Sequence, residues 1–375
     1  MKVSESLRRH TFDVRVPIHG PSLCRPYADY TIKFGRSQRY EGIERKINMI
    51  HPYDVMKGRN QPSLRELKRA AEAGCMEAQN NLGATYSVGI DVKQDYAKAM
   101  KWYKMAAAQG DAVAQCNIGI MYENGEGVKQ DVEEAVRWYR ASAENGYRGG
   151  QYCYALMYLK GNGVKGDKEK AAKWMKISAD QEYPDAQFML GSMYKNGVGV
   201  RKDTDEAIVY YNMAADQGQM DAQFELGRMY HAGEGIEQSD IEAIRLYRIS
   251  AEAGGMRAQF VLGLMYDNGD GVKEDHKEAV RLYRLSAEQG FHLAQNNLGE
   301  MYREGKGVKQ DYKEAVRLYR LSASQNNECA QFNLGEMYRD GTGVPKDEKE
   351  AVRWFTIAAE NGDEDAAAEL KRLET

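Results

Sequence analysis

Alanine returns every 36 residues along the chain, at Ala78, Ala114, Ala186, Ala222, Ala258, Ala294, Ala330 and Ala366, with Gly150 as the one lapse. Glutamine follows it at Gln79, Gln115, Gln151, Gln187, Gln223, Gln259, Gln295 and Gln331. Tyrosine keeps the same step from Tyr86 to Tyr338, with no insertion or deletion between units. A unit this short cannot bury an apolar face by itself, so units in strict register must stack on their neighbours. The period therefore predicts one solenoid, not the two or three globular domains that 375 residues would otherwise suggest.

Within the unit from Ala258 to Leu293, the spacing of Ala258, Leu262, Gly263, Met265 and Tyr266 marks one face of an amphipathic helix. Gly269 and Gly271 break it, and Val272 is expected to plug the loop. A second helix opens on a capping residue: Asp95, Asp131, Asp167, Asp203, Asp275, Asp311 and Asp347, with Ser239 in the remaining unit. Glutamate follows three residues later in six units, at 134, 206, 242, 278, 314 and 350, which predicts a capping box. Ala279, Leu282, Tyr283, Ser286 and Ala287 form the buried stripe of this helix, and Gly290 ends it. The reading is an all-α right-handed superhelix of 17–18 helices over residues 62–375. Its full helix–turn–helix repeats are 78–113, 114–149, 150–185, 186–221, 222–257, 258–293, 294–329 and 330–365, with partial units at 62–77 and 366–375.

The recurring A-Q-x-x-L-G-x-M-Y…G-x-G-V…D-x-x-E-A-x-x-W/L-Y-x-x-S/A-A…G resembles the Sel-one-like repeat family, a branch of the tetratricopeptide superfamily, over residues 78–365. The resemblance implies a non-catalytic adaptor or scaffold whose first helices line a concave groove for a protein or peptide partner. On that face stand Tyr152, Phe188, Phe224, Phe260 and Phe332, with Asn117, Arg228, Asn297 and Asn333 beside them. Aromatic anchors and amide side chains are the groups that hold a peptide. The same rings could instead pack between adjacent first helices, and both alternatives stay open at this point.

The net charge of −4 hides an uneven distribution. Residues 1–61 hold 12 Lys/Arg against 6 Asp/Glu, and the remainder holds 40 against 50. An acidic array is a poor phosphate binder, so no nucleic-acid partner is expected. No run approaches the ~20 apolar residues of a membrane span, and no secretory signal is legible, so a cytoplasmic monomer is expected. Five cysteines at unrelated positions fit reduced thiols better than a disulfide framework. The head, 1–61, carries four of the seven prolines. Residues 11–16 and 30–34 alternate as two short strands would, and Ile43, Ile47 and Ile50 fit a degenerate first helix.

Several motifs dissolve into the repeat. Gly161-Asn162-Gly163-Val164-Lys165-Gly166 spells G-x-G-x-x-G but follows a helix, and its first two glycines are the repeat's own turn. Ser192-Met193-Tyr194-Lys195 spells S-x-x-K without the companion motifs of a serine β-lactamase. Six histidines lack ligand spacing, and the methionine column from Met121 to Met337 sits beside core tyrosines. Arg137/Arg140, Lys173/Lys176, Arg245/Arg248, Arg281/Arg284 and Arg317/Arg320 form a basic ridge that nearby acids are expected to neutralise. No catalytic residue, cofactor or metal is therefore expected. The weighed alternatives are a translocated bacterial effector and, further off, a β-lactamase-like or penicillin-binding hydrolase.

Overall fold

The computed structural model describes residues 63–373, and in them it places 18 α-helices and no strand. A lone helix, α1 (Leu64–Glu72), precedes the pairs α2 (Met76–Val88) with α3 (Tyr96–Ala108), α4 (Ala112–Asn124) with α5 (Val132–Glu144), α6 (Arg148–Lys160) with α7 (Lys168–Asp180), and α8 (Pro184–Asn196) with α9 (Thr204–Asp216). These form one compact unit, which ends at Gln219. The second unit, from Met220, pairs α10 (Met220–Ala232) with α11 (Asp240–Glu252), α12 (Met256–Asn268) with α13 (His276–Glu288), α14 (His292–Glu304) with α15 (Tyr312–Ala323), and α16 (Glu328–Asp340) with α17 (Glu348–Glu360). It closes on α18 (Glu364–Leu373). The strands expected at 11–16 and 30–34, and the helix around Ile43 to Ile50, lie outside the described residues.

Local chemistry sets the helix ends. Every predicted cap residue accepts a hydrogen bond from the first turn, as Asp131 does from the Glu134 N–H at 3.0 Å and Ser239 from the Glu242 N–H at 3.3 Å. The glutamates three residues on do something else. The reciprocal box closes at Ser63–Glu66, whereas Glu134, Glu242, Glu278, Glu314 and Glu350 each pair with an arginine one turn further on, at 2.6–3.2 Å. A guanidinium three residues on competes better for the carboxylate than a single backbone N–H does. First helices end where glycine takes a left-handed φ, between 65° and 84° from Gly89 to Gly341.

Each pair is locked by a glycine facing a ring. A Cβ on Gly263 would stand 2.8 Å from the Tyr283 ring, and Gly119 and Gly227 face Tyr139 and Tyr247 in the same way. One repeat departs on both sides at once: Ala155 replaces the glycine and Met175 replaces the tyrosine, and both are fully buried. The extra methyl is matched by a slimmer, more adaptable partner.

The glutamine column joins successive repeats. Gln187 donates to the Ala179 carbonyl at 3.2 Å, satisfying the end of the preceding second helix, and accepts from Gln217 at 2.7 Å. Gln151, Gln259, Gln295 and Gln331 bond in the same two directions. Serines add a parallel row in which the Ser286 hydroxyl donates to the Met256 carbonyl and the Ser322 hydroxyl to His292, at 2.8 and 2.7 Å. Buried polar groups are thus paired by design of the period, as a tightly packed interior requires.

Candidate functional site

The first helices are held on several sides. Helix α4 packs on its own second helix α5, on the preceding second helix α3 and on the next first helix α6. Side chains that a single amphipathic stripe would leave outside are therefore largely enclosed.

In the unit ending at Gln219, the amide of buried Asn117 donates to Asn80 of α2 at 3.2 Å. Tyr152 of α6 meets Tyr183 edge to face at 5.3 Å, and Phe188 of α8 lies 5.8 Å from Tyr211 of α9. Cys116 and Cys153 occupy the same relative positions as Asn80 and Asn117, and both are buried. The hydrogen bond to the Cys116 thiol, together with burial, pushes the Cys153 thiol well up, so it is a packed group and not a ready nucleophile. Ser192 shares a hydrogen bond with the Tyr211 hydroxyl at 3.1 Å.

In the unit from Met220, the Phe224 ring lies 5.6 Å from Tyr247 and tilted to it by 41°, with the Arg257 guanidinium 4.6 Å over its ring. Arg228 is held by Glu225 at 3.2 Å and Glu234 at 2.8 Å, its side chain 8% exposed. Phe260 contacts Tyr283 and Phe291, and Phe332 contacts Phe355 at 5.4 Å. Asn333 is fully buried. It donates to Asn296 at 3.0 Å and to Glu300 at 3.4 Å, and accepts from Arg303 at 3.3 Å. Asn297 is half-buried and lies 3.5 Å from the Tyr283 hydroxyl. Phe188, Phe224, Phe260 and Phe332 thus each meet the large ring at one fixed position of the paired second helix, a neighbour the sequence reading did not consider.

The polar groups gather where the sequence reading placed only single residues. Asn296, Glu300 and Arg303 on α14, Asn333, Glu336 and Arg339 on α16, and Glu369 on α18 form one bonded ladder across three successive first helices. Its rungs are Arg303–Glu336 at 3.4 Å, Arg339–Glu336 at 3.4 Å and Arg339–Glu369 at 3.0 Å. Burial pushes the Glu300 and Glu336 carboxyls above the usual carboxylate range, against the pull of Arg303. Side chains of this ladder remain partly open, 29% for Glu336 and 28% for Arg339. The arginines were missed; the repeated Glu300–Arg303 and Glu336–Arg339 spacing, three apart and one period removed, could have found them. Among the described residues no three His, Cys, Asp or Glu side chains gather as metal ligands.

Paired helices in register, locked by glycine and ring and joined by side-chain amides, define a helical-repeat solenoid, a fold typical of protein–protein interaction scaffolds. The Sel1 repeat model matches eight times, at 77–111, 112–147, 150–183, 184–219, 221–255, 257–291, 292–327 and 330–363, and the chain belongs to the Sel1 repeat family. It is similar to a protective antigen of uropathogenic Escherichia coli strains that displays an SLR fold, with 38% identity and a TM-score of 0.67, covering 84% of this chain and 67% of that one. A Sel1 repeat protein from Oxalobacter formigenes is 33% identical with a TM-score of 0.58, covering 86% of this chain and 93% of that one. No curated protein matches the chain significantly. No helix among the described residues is long and apolar enough to cross a membrane.

Proposed function

We propose that this protein is a non-catalytic cytoplasmic adaptor, a monomer that holds a segment of a protein partner against the first-helix face of the unit from Met220. The observation that carries the reading is the ladder from Asn296 to Glu369, where the carboxylates and guanidiniums of Arg303, Glu336, Arg339 and Glu369 stay partly open along three consecutive first helices, over the buried amides of Asn296 and Asn333. Guanidiniums that donate and carboxylates that accept, set in alternation, can hold a peptide backbone and fix its register by charge. The nine candidate positions then divide by role. Asn297 meets the partner at the open edge, while Asn117, Tyr152, Phe188, Phe224, Arg228, Phe260, Phe332 and Asn333 are buried supports that fix the shape of the face. Buried rings contribute through packing, and a partner would reach their edges only.

A photo-crosslinking amino acid at Asn297 or Arg339, compared with one at Arg281 on the outer second-helix face, tests this. A discrete partner adduct is expected from the first two sites and not from the third. Adducts from Arg281 alone, or equally from all three, would refute the proposed face.

The likeness to a protective antigen of uropathogenic Escherichia coli favours one second reading, a virulence-associated bacterial interaction protein acting outside the cytoplasm. Fractionation of the native host cell separates the two, since the adaptor reading requires the chain to be recovered with cytosolic markers.

A further inference from the structure

One turn of the repeat differs from the others in a way the fold does not require. Seven repeats carry a long side chain five residues after the first-helix C-cap glycine: Gln94, Gln130, Lys202, Gln238, Glu274, Gln310 and Lys346. In four of them the glutamine amide bends back onto the carbonyl seven residues earlier. Gln94 donates to Ser87, Gln130 to Glu123, Gln238 to His231 and Gln310 to Arg303, all at 2.8–2.9 Å. The remaining repeat has Gly166, the third glycine of the G-x-G-x-x-G run. Gly161 and Gly163 need their left-handed φ of 68° and 65°, but Gly166 is not among the positive-φ residues. A Cβ there would make only ordinary contacts, 3.4 Å to the Gly161 Cα and 3.6 Å to the Tyr158 carbonyl oxygen.

Beside Gly166 an open cleft of about 510 Å³ lies between the end of α6 and the start of α7, bordered by Tyr158, Leu159 and Gly161 and by the charged residues Lys160, Asp167, Lys168 and Glu169. The Leu159 carbonyl, the counterpart of the four glutamine-bonded carbonyls, receives no N–H from the described residues. Three features fix what could enter. A bare carbonyl oxygen repels an anion and calls for a donor, so the glycine run is not a phosphate cradle. The border carries two basic side chains, Lys160 and Lys168, and two acidic ones, Asp167 and Glu169, so it selects neither a cation nor an anion by net charge. The span from Gly166 to that carbonyl is the one a glutamine side chain covers in four sister repeats.

We propose that this cleft binds the primary carboxamide of a glutamine presented by a partner protein, which supplies from outside the group that four of the other repeats supply from within. The site stands on the loop edge of the unit ending at Gln219, and it does not depend on which partner the first-helix ladder takes.

Propionamide, the glutamine side chain cut at its Cβ, is the probe, with propionate and propylammonium as its charged counterparts. Amide chemical shifts of the full chain, followed by transverse-relaxation-optimised NMR, report the site. Propionamide should move the Gly161, Gly166 and Asp167 signals saturably, in the roughly millimolar range open to so small a ligand. Gly125 and Gly305, whose turns keep their own glutamine, should stay still. The Gly166→Gln variant carries the residue natural to four repeats, so it should fold with unchanged circular dichroism and weaken propionamide binding at least about tenfold. Gly166→Ala, which adds a methyl and no donor, should weaken it less. Absence of saturable shifts, equal shifts at Gly125 and Gly305, stronger binding of propylammonium or propionate, or undiminished binding to Gly166→Gln would each overturn the proposal.

Discussion

Replacing Gly263 by alanine and Tyr283 by methionine, singly and together, probes the lock between first and second helix with a pairing the chain already uses at Ala155 and Met175. The new methyl at position 263 would stand 2.8 Å from two ring carbons of Tyr283, a side chain with no exposed surface and no room to retreat. Overpacking of this kind costs ~1–3 kcal/mol. Exchanging glycine for alanine inside a helix returns ~1 kcal/mol, so Gly263→Ala alone should destabilise by roughly 0–2 kcal/mol. Tyr283→Met alone removes ring volume from a filled site and should cost roughly 2–4 kcal/mol, on the scale of large-to-small core changes. In the double variant the thinner side chain makes way for the methyl. Its cost should therefore fall short of the sum of the singles by about 1–2 kcal/mol. Urea midpoints followed by circular dichroism give the cycle. Amide exchange in α12 and α13 confirms that the change is local, since a repeat array need not unfold in one step. Additivity to within about 0.5 kcal/mol would refute steric interlock as the reason for the glycine column.

Burial raises the Glu300 carboxyl, so the native chain holds that proton more tightly than the unfolded chain does. Stability must then fall as pH rises from the ordinary carboxylate pKa through the raised one. Glu300→Gln should become progressively more stable than the parent across that window in urea titrations at stepped pH, and a constant difference would contradict this. Glu182 occupies a turn position that is glycine in six repeats and holds a left-handed φ of 58°. Glu182→Gly should stabilise by up to ~1 kcal/mol, because relief of the ~1–2 kcal/mol strain exceeds the entropy that glycine adds to the unfolded chain; a lowered midpoint would disprove it. Leu262→Ala should cost ~2–5 kcal/mol. Arg281→Ala breaks only an exposed pair with Glu278 and should shift the midpoint by ~0–1 kcal/mol; similar shifts for both would show that the helix faces are misassigned.

The helices, their caps and their stops were legible because a 36-residue period repeats the same local instruction eight times. Asp131 and Gly125 mean the same as Asp311 and Gly305 wherever they recur. The ends of the side chains were not legible. Glu278 has two good partners within reach, the cap N–H behind it and Arg281 ahead, and sequence alone does not rank them. Gln259 recurs as visibly as Ala258, yet its bonds run eight residues back to Ala251 and thirty forward to Gln289, distances that no helical template contains. The aromatic column leaves groove lining and packing between first helices equally open in the sequence, because a lone amphipathic helix has one buried stripe. Helices in an array are covered from several directions, and Phe260 sits between Tyr283 and Phe291. The compensated pair Ala155 and Met175 is visible in the sequence as two simultaneous lapses, and only the closeness of ring and glycine in the other repeats explains why they lapse together.

The thirty-residue reach from each second-helix end to the glutamine of its own repeat also governs how the gene can change length. Removing residues 294–329 would rejoin Leu293 to Ala330 and place the Gln331 amide against the Ala287 carbonyl, where Gln295 now donates. Asn361 would still donate to Gln331, as it does already. Loss or gain of whole multiples of 36 residues therefore conserves the glutamine contacts at the splice, although this particular deletion takes from Asn333 its partners Asn296, Glu300 and Arg303. A deletion of 35 would set the first helix at the splice one residue out of register with the repeat before it and turn the Gln331 amide away from the Ala287 carbonyl. A shortened protein lacking 294–329 should therefore keep its helical signal per residue and unfold at a higher urea concentration than one lacking 35 residues at the same place.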